Sequence, residues 1–388
     1  MGDSEAMAAP AFLEFFCGGG MAREGLAPEW RCLFANDFDP RKGAAYVANW
    51  GAGALRVGDV AELKGEDMPG MVDLAWASFP CQDLSLAGAG AGLTGARSGA
   101  FWGFCAAMEA LESEGRAPKL IALENVAGVL TSKGGADFTA VASALQKLGY
   151  RFGALTIDAA DFVPQSRPRV FFVALRRDCA PPPGLAVAQP PAHHVSGPLK
   201  RVVETLPRAI VADWLWWRLP PPPHRNLGLV DCLEDAGALW HSPAQTAALT
   251  AALSAASLRD VARARKLGGR HVGALFRRTR SDGAGGTRVQ AEARFDGLAG
   301  CLRTPAGGSS RQFLIEIAGE ATRTRLLTPR EAARLMGLPD TFHLPSRTTD
   351  ALHLVGDGVA PPVVRFLSEN LLLPLLDARR ETAHALSA

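Results

Sequence analysis

Cys81 follows Phe79-Pro80 and precedes Gln82, at the end of an apolar run over 72–77 that reads as a buried strand. Proline fixes φ and ends regular pairing, so this thiol stands at the mouth of a sheet rather than within it. The segment after it is long, rich in Gly, Ala and Ser, and carries one cation, Arg97. Irregular segments of that length are usually lids or binding loops. A thiol at a strand end beneath a lid is suited to nucleophilic catalysis, whereas a lone cysteine more often packs as a small hydrophobe. Other residues have to discriminate. Glu124 ends a second short apolar step, 120–123, where a carboxylate serves either as an acid and hydrogen-bond partner or as a plain surface charge. Gln165, Arg167 and Arg169 precede the apolar run 170–175 and alternate with Ser166 and Pro168. In an extended segment that alternation turns all three to one side. Planar groups with several donors suit a base edge or a phosphate.

A second set of residues points to a nucleoside. The first predicted strand, 11–16, is interrupted by Glu14 and runs into Cys17-Gly18-Gly19-Gly20, after which 21–26 begins a helix. Strand, glycine turn and helix let the backbone approach a nucleotide-like ligand. The next strand, 32–35, ends in Asn36-Asp37-Phe38. Asp37 therefore lies roughly 20 residues beyond the glycines, where a doubly wound fold places a carboxylate against ribose hydroxyls. A third acid, Asp59, follows Gly58 after another short apolar step, 54–57. The chain has no GxxxxGK[ST] pattern, which favours a nucleoside cofactor without a polyphosphate.

Alternating strands and helices must position these groups. Helices are predicted over 39–50, 101–111 and 138–148, and strands over 120–123, 150–158 and 170–175. That order implies an α/β fold with a doubly wound, largely parallel sheet. The rhythm breaks over 176–223, where proline clusters surround His193-His194. A boundary is expected there, with a second, less regular domain over 177–300. The paired histidines lack further ligands at a useful spacing and read as linker. Trp214, Trp216 and Trp217 read as core. Ser242-Pro243 and Thr328-Pro329 are N-cap and N1 pairs that open helices. A glycine turn is expected over 354–364 and a final helix over 363–376. Between Arg259 and Arg280 stand eight basic residues and one acid, Asp260, either a solvated face or a surface for a polyanion.

Bulk numbers bound the rest. With 388 residues, 48% of them hydrophobic, the chain can build one large or two unequal domains. A net charge of +2 does not announce nucleic acid. Seven cysteines without a CxxC pair argue against a disulfide framework or a zinc site and fit a reducing cytoplasm. The acidic first residues argue against a secretory signal, and no apolar run approaches a membrane span.

Taken in order, FLEFFCGGG over 12–20, Asn36-Asp37-Phe38, Gly58-Asp59-Val60, Phe79-Pro80-Cys81-Gln82, Glu124-Asn125-Val126, Gln165-Ser166-Arg167-Pro168-Arg169, residues 325–342 and Gly356-Asp357-Gly358-Val359 make the chain resemble the bacterial-type DNA (cytosine-5)-methyltransferases. The likeness covers most of 11–175 and 300–370, and its PCQ, ENV and QxRxR triplet is highly specific. It implies a Rossmann-like S-adenosylmethionine-dependent fold. The catalytic and cofactor domain would occupy 1–176, a target-recognition domain 177–300, and the catalytic domain would resume over 301–388. It also implies that Cys81 adds to C6 of a cytosine, that Glu124 holds the N3/N4 edge, and that Arg169 with Arg167 contacts the O2 side and the active-site loop. The base must leave the duplex to reach the thiol.

The resemblance would turn Gln82, Ser85, Arg97 and Gln165 toward DNA. In the variable region Arg277 and Arg278 are the best candidates for DNA contact. Phe16, Gly18, Gly20, Asp37, Phe38, Asp59, Val60, Pro80, Asp357 and Val359 would line the cofactor pocket, with S-adenosylhomocysteine as product and no metal. Double-stranded DNA is the implied partner of a monomeric, cytoplasmic enzyme, with or without a separate restriction endonuclease. A tRNA cytosine-5 methyltransferase and a catalytically silent DNA-binding homologue are the competing readings. Glu14, Met21 and Asp357 stand where the family usually has Asp, Gly and Asn. Asp357 brings a carboxylate toward the cofactor's own.

Overall fold

The computed structural model describes residues 9–80, 99–234, 239–281, 286–303 and 311–377. Cys81, Gln82, Ser85 and Arg97 lie outside the described residues. The chain forms two compact units. The first holds the chain to Ile157, Pro168–Pro222 and the chain from Val359; the second holds Asp158–Arg167 and Pro223–Gly358.

Seven strands carry the first unit: β1 (Ala11–Phe15), β2 (Arg31–Asp37), β3 (Leu55–Val57), β4 (Leu74–Ala77), β5 (Leu120–Val126), β6 (Tyr150–Asp158) and β7 (Pro168–Arg176). They lie in the order β3-β2-β1-β4-β5-β7-β6. β1 pairs in parallel with β2 and β4, and β4 with β5, while β7 runs antiparallel to β5. The helices α1 (Met21–Leu26), α2 (Pro40–Trp50), α3 (Gly99–Ser113) and α4 (Ala136–Lys147) alternate with these strands. This is the doubly wound, largely parallel sheet that the alternation predicts.

Strands covered on both faces must be apolar on both. All four residues of β4 are buried, and Phe12 and Phe15 of β1 are fully so. Each such large side chain contributes about 1.5–3 kcal/mol. Strand order reverses between β1 and β4, and such a switch point opens a crevice at the carboxyl ends of the strands. β5 runs on to Val126 instead of ending at Leu123, because β7 pairs along it to Val126↔Arg169. Glu124 is thus a strand residue, and it is buried.

The proline-rich stretch packs on the first unit. β8 (Ala186–Val187) pairs with β9 (Trp216–Trp217), and α5 (Gly197–Glu204) and α6 (Arg208–Val211) lie between them in the chain. The indoles hold it there. Trp217 Nε1 donates to Val173 O at 3.1 Å, and Leu215 N to Phe152 O at 2.7 Å. Only glycine fits at 153, where an added Cβ would lie 2.0 Å from Leu215 O. The chain therefore passes to the second unit at Pro223, beyond the boundary anticipated near 177.

In the second unit α7 (Pro243–Ala251) and α8 (Ala255–Leu267) precede an antiparallel sheet of β10 (Arg270–Ser281), β11 (Thr287–Arg294), β12 (Phe313–Ala318) and β13 (Ala321–Leu326), ordered β11-β10-β12-β13. Leu253, Val261 and Ala264 pack with Leu275, Ile315 and Ile317 into its core. The basic run 259–280 divides between α8 and β10. α9 (Pro329–Arg334) opens on a Thr328/Glu331 capping box, and Glu331 forms a buried two-point ion pair with Arg325 at 2.6 and 2.7 Å.

α10 (Thr348–Asp357) occupies the first part of the expected glycine turn, and α11 (Pro361–Leu367) follows. The helical run Thr348–Asp377 is long and apolar enough to cross a membrane, with 67% of its apolar window buried. Extended backbone at Gly358 and Ala360 ahead of Pro361 interrupts it, as befits core helices.

Candidate active site

The carboxyl ends of β1, β4 and β5 meet side by side in the first unit. β4 stops at Ala77, and the chain that leaves it is tied to both neighbours. Ser78 N donates to Phe15 O at 3.3 Å, and Trp76 Nε1 to Ser78 Oγ at 3.0 Å. Phe79 is buried against Phe101, with ring centroids 4.9 Å apart. Asn125 Nδ2 donates to Phe79 O at 3.5 Å, and Asn125 Oδ1 accepts from Val126 N at 2.8 Å. Pro80 is the last described residue before Cys81.

Beside this anchored backbone lies a buried ion pair. Arg169 Nε stands 2.9 Å from Glu124 Oε1, with the two side chains 12% and 8% exposed. Arg169 also donates to Pro168 O at 2.9 Å. The pair joins adjacent strands of one sheet, so its geometry is set by rigid elements. A buried cation and carboxylate so arranged can hold a planar substrate edge by hydrogen bonds.

Gln165 and Arg167 do not join Arg169. The chain from Asp158 to Arg167 belongs to the second unit and turns through a short 3₁₀ segment, Ala159–Asp161, so the single extended face expected for the three residues does not form. Gln165 is fully buried. Its amide donates to Leu335 O at 2.9 Å and accepts from Leu302 N at 3.0 Å. That leaves it no surface to present to DNA.

Arg167 is 2% exposed. Its guanidinium donates to Leu302 O at 2.9 Å, Gly356 O at 2.9 Å and Gly358 O at 2.6 Å. Carbonyls at a helix end have no intrahelical partner, and here an arginine satisfies those around the end of α10. Asp357 is the last residue of α10, in the second unit; Val359 is buried in the first.

The nucleoside end is built around the glycine turn. Phe16, Gly18 and Gly20 all have positive φ (57°, 55° and 79°). Gly18 N donates to Asp37 Oδ2, and Asp39 N to Asp37 Oδ1, each at 2.8 Å. Asn36 Nδ2 bonds the carbonyls of Arg56 and Gly58 at 3.0 Å, which ties the end of β3 to β2. Asp59 then caps the turn that carries the buried Val60. Phe38 is 74% exposed beside Asp37, an unusual place for a large ring unless a flat ligand covers it.

An added Cβ at Gly18 would meet nothing within 4 Å, whereas at Gly20 it would lie 2.3 Å from Trp50 Nε1. The turn is thus pressed onto α2 from one side and open on the other. Glu14 lies beneath it, buried, with Oε2 lacking any partner. An open glycine turn, a ribose-type carboxylate, an exposed ring and an unsatisfied buried oxygen fit an adenosyl cofactor with a charged tail.

Of the two candidate DNA arginines, Arg277 is half-buried with its guanidinium 5.3 Å from the Phe313 ring. Arg278 is 52% exposed, pairs with Glu292 at 3.2 Å and stacks on Phe276. The sequence by itself pointed to no role for Asn36 or Asn125, whose amides hold the backbone at Gly58 and Phe79. An asparagine beside a charged motif residue was the available signal.

A family model described as C-5 cytosine-specific DNA methylase matches residues 11–372. The type II methyltransferase M.NlaX of Neisseria lactamica is 26% identical over 363 residues, covering 92% of this chain and 95% of its own length. M.HhaI of Haemophilus parahaemolyticus is 23% identical over 369 residues, 93% of each. The fold resembles the Entamoeba histolytica methyltransferase EhMeth, with a TM-score of 0.61 at 14% identity over 96% of this chain and 99% of that one. It also resembles a putative DNA modification methyltransferase from an E. coli prophage, with a TM-score of 0.56 at 18% identity over 95% and 99%. With a family match spanning nearly its whole length, this chain belongs to the C-5 cytosine-specific DNA methylases.

Proposed function

We propose that this enzyme methylates C5 of a cytosine flipped out of a specific short duplex sequence, through a covalent bond between Cys81 and C6. The buried Glu124–Arg169 pair beside the tethered Phe79-Pro80 backbone is the observation that carries this reading. Cytosine C5 is a poor nucleophile. A Cys81 thiolate adding at C6 forms the S–C6 bond and moves the ring's π electrons toward C5. Glu124 hydrogen-bonds the N3/N4 edge, and Arg169 fixes that carboxylate and offers donors to the O2 side. Once C5 carries the methyl group, a base takes the C5 proton, the electrons of that C–H bond restore the C5–C6 double bond, and the S–C6 bond breaks to release Cys81 as a thiolate. Cys81 lies outside the described residues, and its place here rests on the motif.

S-adenosylmethionine, the donor of this enzyme family, supplies an electrophilic methyl group when bound. Asp37 would accept from the ribose hydroxyls, Phe38 would cover the adenine, Asp59 and Val60 would meet its edge, and Phe16, Gly18, Gly20 and Pro80 would flank the rest. Val359, in the same unit as the turn, would complete the methionine end. Arg167 acts in this scheme as a positioning residue, since its donors are engaged by carbonyls around Asp357.

The second unit would read the target sequence, with Arg278 at a DNA phosphate. The type II methyltransferases among its relatives lend support to a short defined target; in this reading the enzyme works as a monomer in the bacterial cytoplasm, alone or beside a separate endonuclease. The test is single-base mapping of 5-methylcytosine in genomic DNA from cells overproducing the protein. One short motif should be methylated throughout, and the Cys81→Ser variant should leave it unmodified. Methylation that persists in that variant would refute the covalent route.

A further inference from the structure

Glu14 is 1% exposed, on β1 just ahead of the glycine turn. Its Oε1 accepts a long bond, 3.3 Å, from the backbone N–H of Arg23, and its Oε2 is buried without a partner. Leaving a carboxylate oxygen in that state is costly unless something else comes to it. The nearest cation, the Arg23 guanidinium, is turned elsewhere: it donates to the Tyr46 hydroxyl at 2.7 Å and lies 4.6 Å from the Trp50 ring.

The other titratable groups facing Glu14 are Asp37, Cys17, Cys32 and Tyr46. Burial pushes both thiols and the phenol up, so all three are neutral near pH 7. Asp37 is occupied by the N–H groups of Gly18 and Asp39. Burial also pushes the Glu14 carboxyl up to about 8, which keeps a proton on it at neutral pH in the free protein.

We propose that Glu14 releases its proton to solvent when a cationic donor settles over the glycine turn, and that the carboxylate left behind favours positively charged S-adenosylmethionine over its uncharged thioether product. The inference rests on the cofactor reading above. Its physical basis is that donor and product share every polar group but differ by the sulfonium charge. A buried anion beneath the turn discriminates on that charge, and a buried neutral acid does not. The same device eases departure of the spent product, whose loss of charge lets Glu14 take its proton back.

The experiment is calorimetric titration of the full chain with S-adenosylmethionine, S-adenosylhomocysteine and a stable analogue bearing an amine in place of the sulfonium. Each is run near pH 7 in two buffers of different ionisation heat. The cationic ligands should release close to one proton more than S-adenosylhomocysteine. Their advantage in affinity should rise with increasing pH, by up to tenfold per unit, and level off above about pH 8. In Glu14→Gln both differences should vanish while S-adenosylhomocysteine still binds. Equal proton release by all three ligands in the parent would overturn the proposal, and so would release that survives in Glu14→Gln. Failure of every ligand to bind would instead sink the cofactor reading itself.

Discussion

Arg169 on β7 holds Glu124 on β5 at 2.9 Å, across two antiparallel strands whose neighbouring stretches, 120–123 and 170–175, are apolar and buried. Removing either partner strands a charge in a poorly solvated place, at a cost of about 3–5 kcal/mol. Arg169→Ala and Glu124→Gln should each lower methyl transfer to duplex DNA by at least about a hundredfold. Arg169→Lys, which keeps the charge but loses the planar fork, should fall between. Transfer of a labelled methyl group from the donor measures this, and an Arg169→Ala enzyme as fast as the parent would remove the pair from the mechanism.

Arg167 should behave differently. Its bonds are to carbonyls of the second unit, so Arg167→Ala leaves three buried acceptors short of donors and should destabilise by about 3 kcal/mol or more. The unfolding midpoint in urea should drop.

Glu14 ties stability to pH. Its carboxyl is pushed up to about 8, mainly by burial, so the folded state holds a proton that the unfolded chain has lost. That contribution is complete below the ordinary carboxyl pKa and disappears as pH rises through about 8. The free parent should therefore lose a few kcal/mol between about pH 5 and pH 9, with a slope approaching about 1.4 kcal/mol for each step of one in pH. Glu14→Gln should lack this slope. Urea unfolding of both proteins at the two pH values checks the sign, and a parent that becomes more stable relative to Glu14→Gln at high pH would contradict it.

The two cofactor-turn glycines should not respond alike. Gly18→Ala meets open space and carries only the left-handed backbone penalty, about 1 kcal/mol. Gly20→Ala adds a clash with Trp50, a further cost of about 1–3 kcal/mol, and should push the turn off α2. Thermal denaturation should rank Gly20→Ala as the more damaged protein, whereas binding of S-adenosylhomocysteine should suffer in Gly18→Ala as well, because its added methyl projects into the open side of the turn where the cofactor would lie.

Arg278 and Arg277 divide in the same manner. Arg278→Ala should weaken DNA binding evenly across sequences and reduce the salt slope by about one. Arg277→Ala removes a guanidinium stacked on Phe313 and should lower stability with little change in that slope. Affinity measured across a salt series separates the two.

Most of the local architecture was legible in the chain because it depends on residue types in a fixed local frame. Strand ends, the glycine turn, Asp37, the proline before Cys81 and the N-caps at Ser242 and Thr328 all follow from short-range steric rules. The alternation of elements gave the doubly wound sheet for the same reason. Long-range pairing decided the rest. Whether Glu124 ended a strand or sat within one depended on β7 lying antiparallel beside it. Whether Gln165, Arg167 and Arg169 shared a face depended on the chain crossing into the second unit and back between Asp158 and Pro168. The tryptophans of 214–217 read as core from composition alone, but only the packing against β6 and β7 showed which core they belong to. Local sequence specifies the direction of a side chain along its own backbone. Which carbonyl, ring or carboxylate waits at the far end is set by segments tens to hundreds of residues away, as Arg167 and Gly356 illustrate.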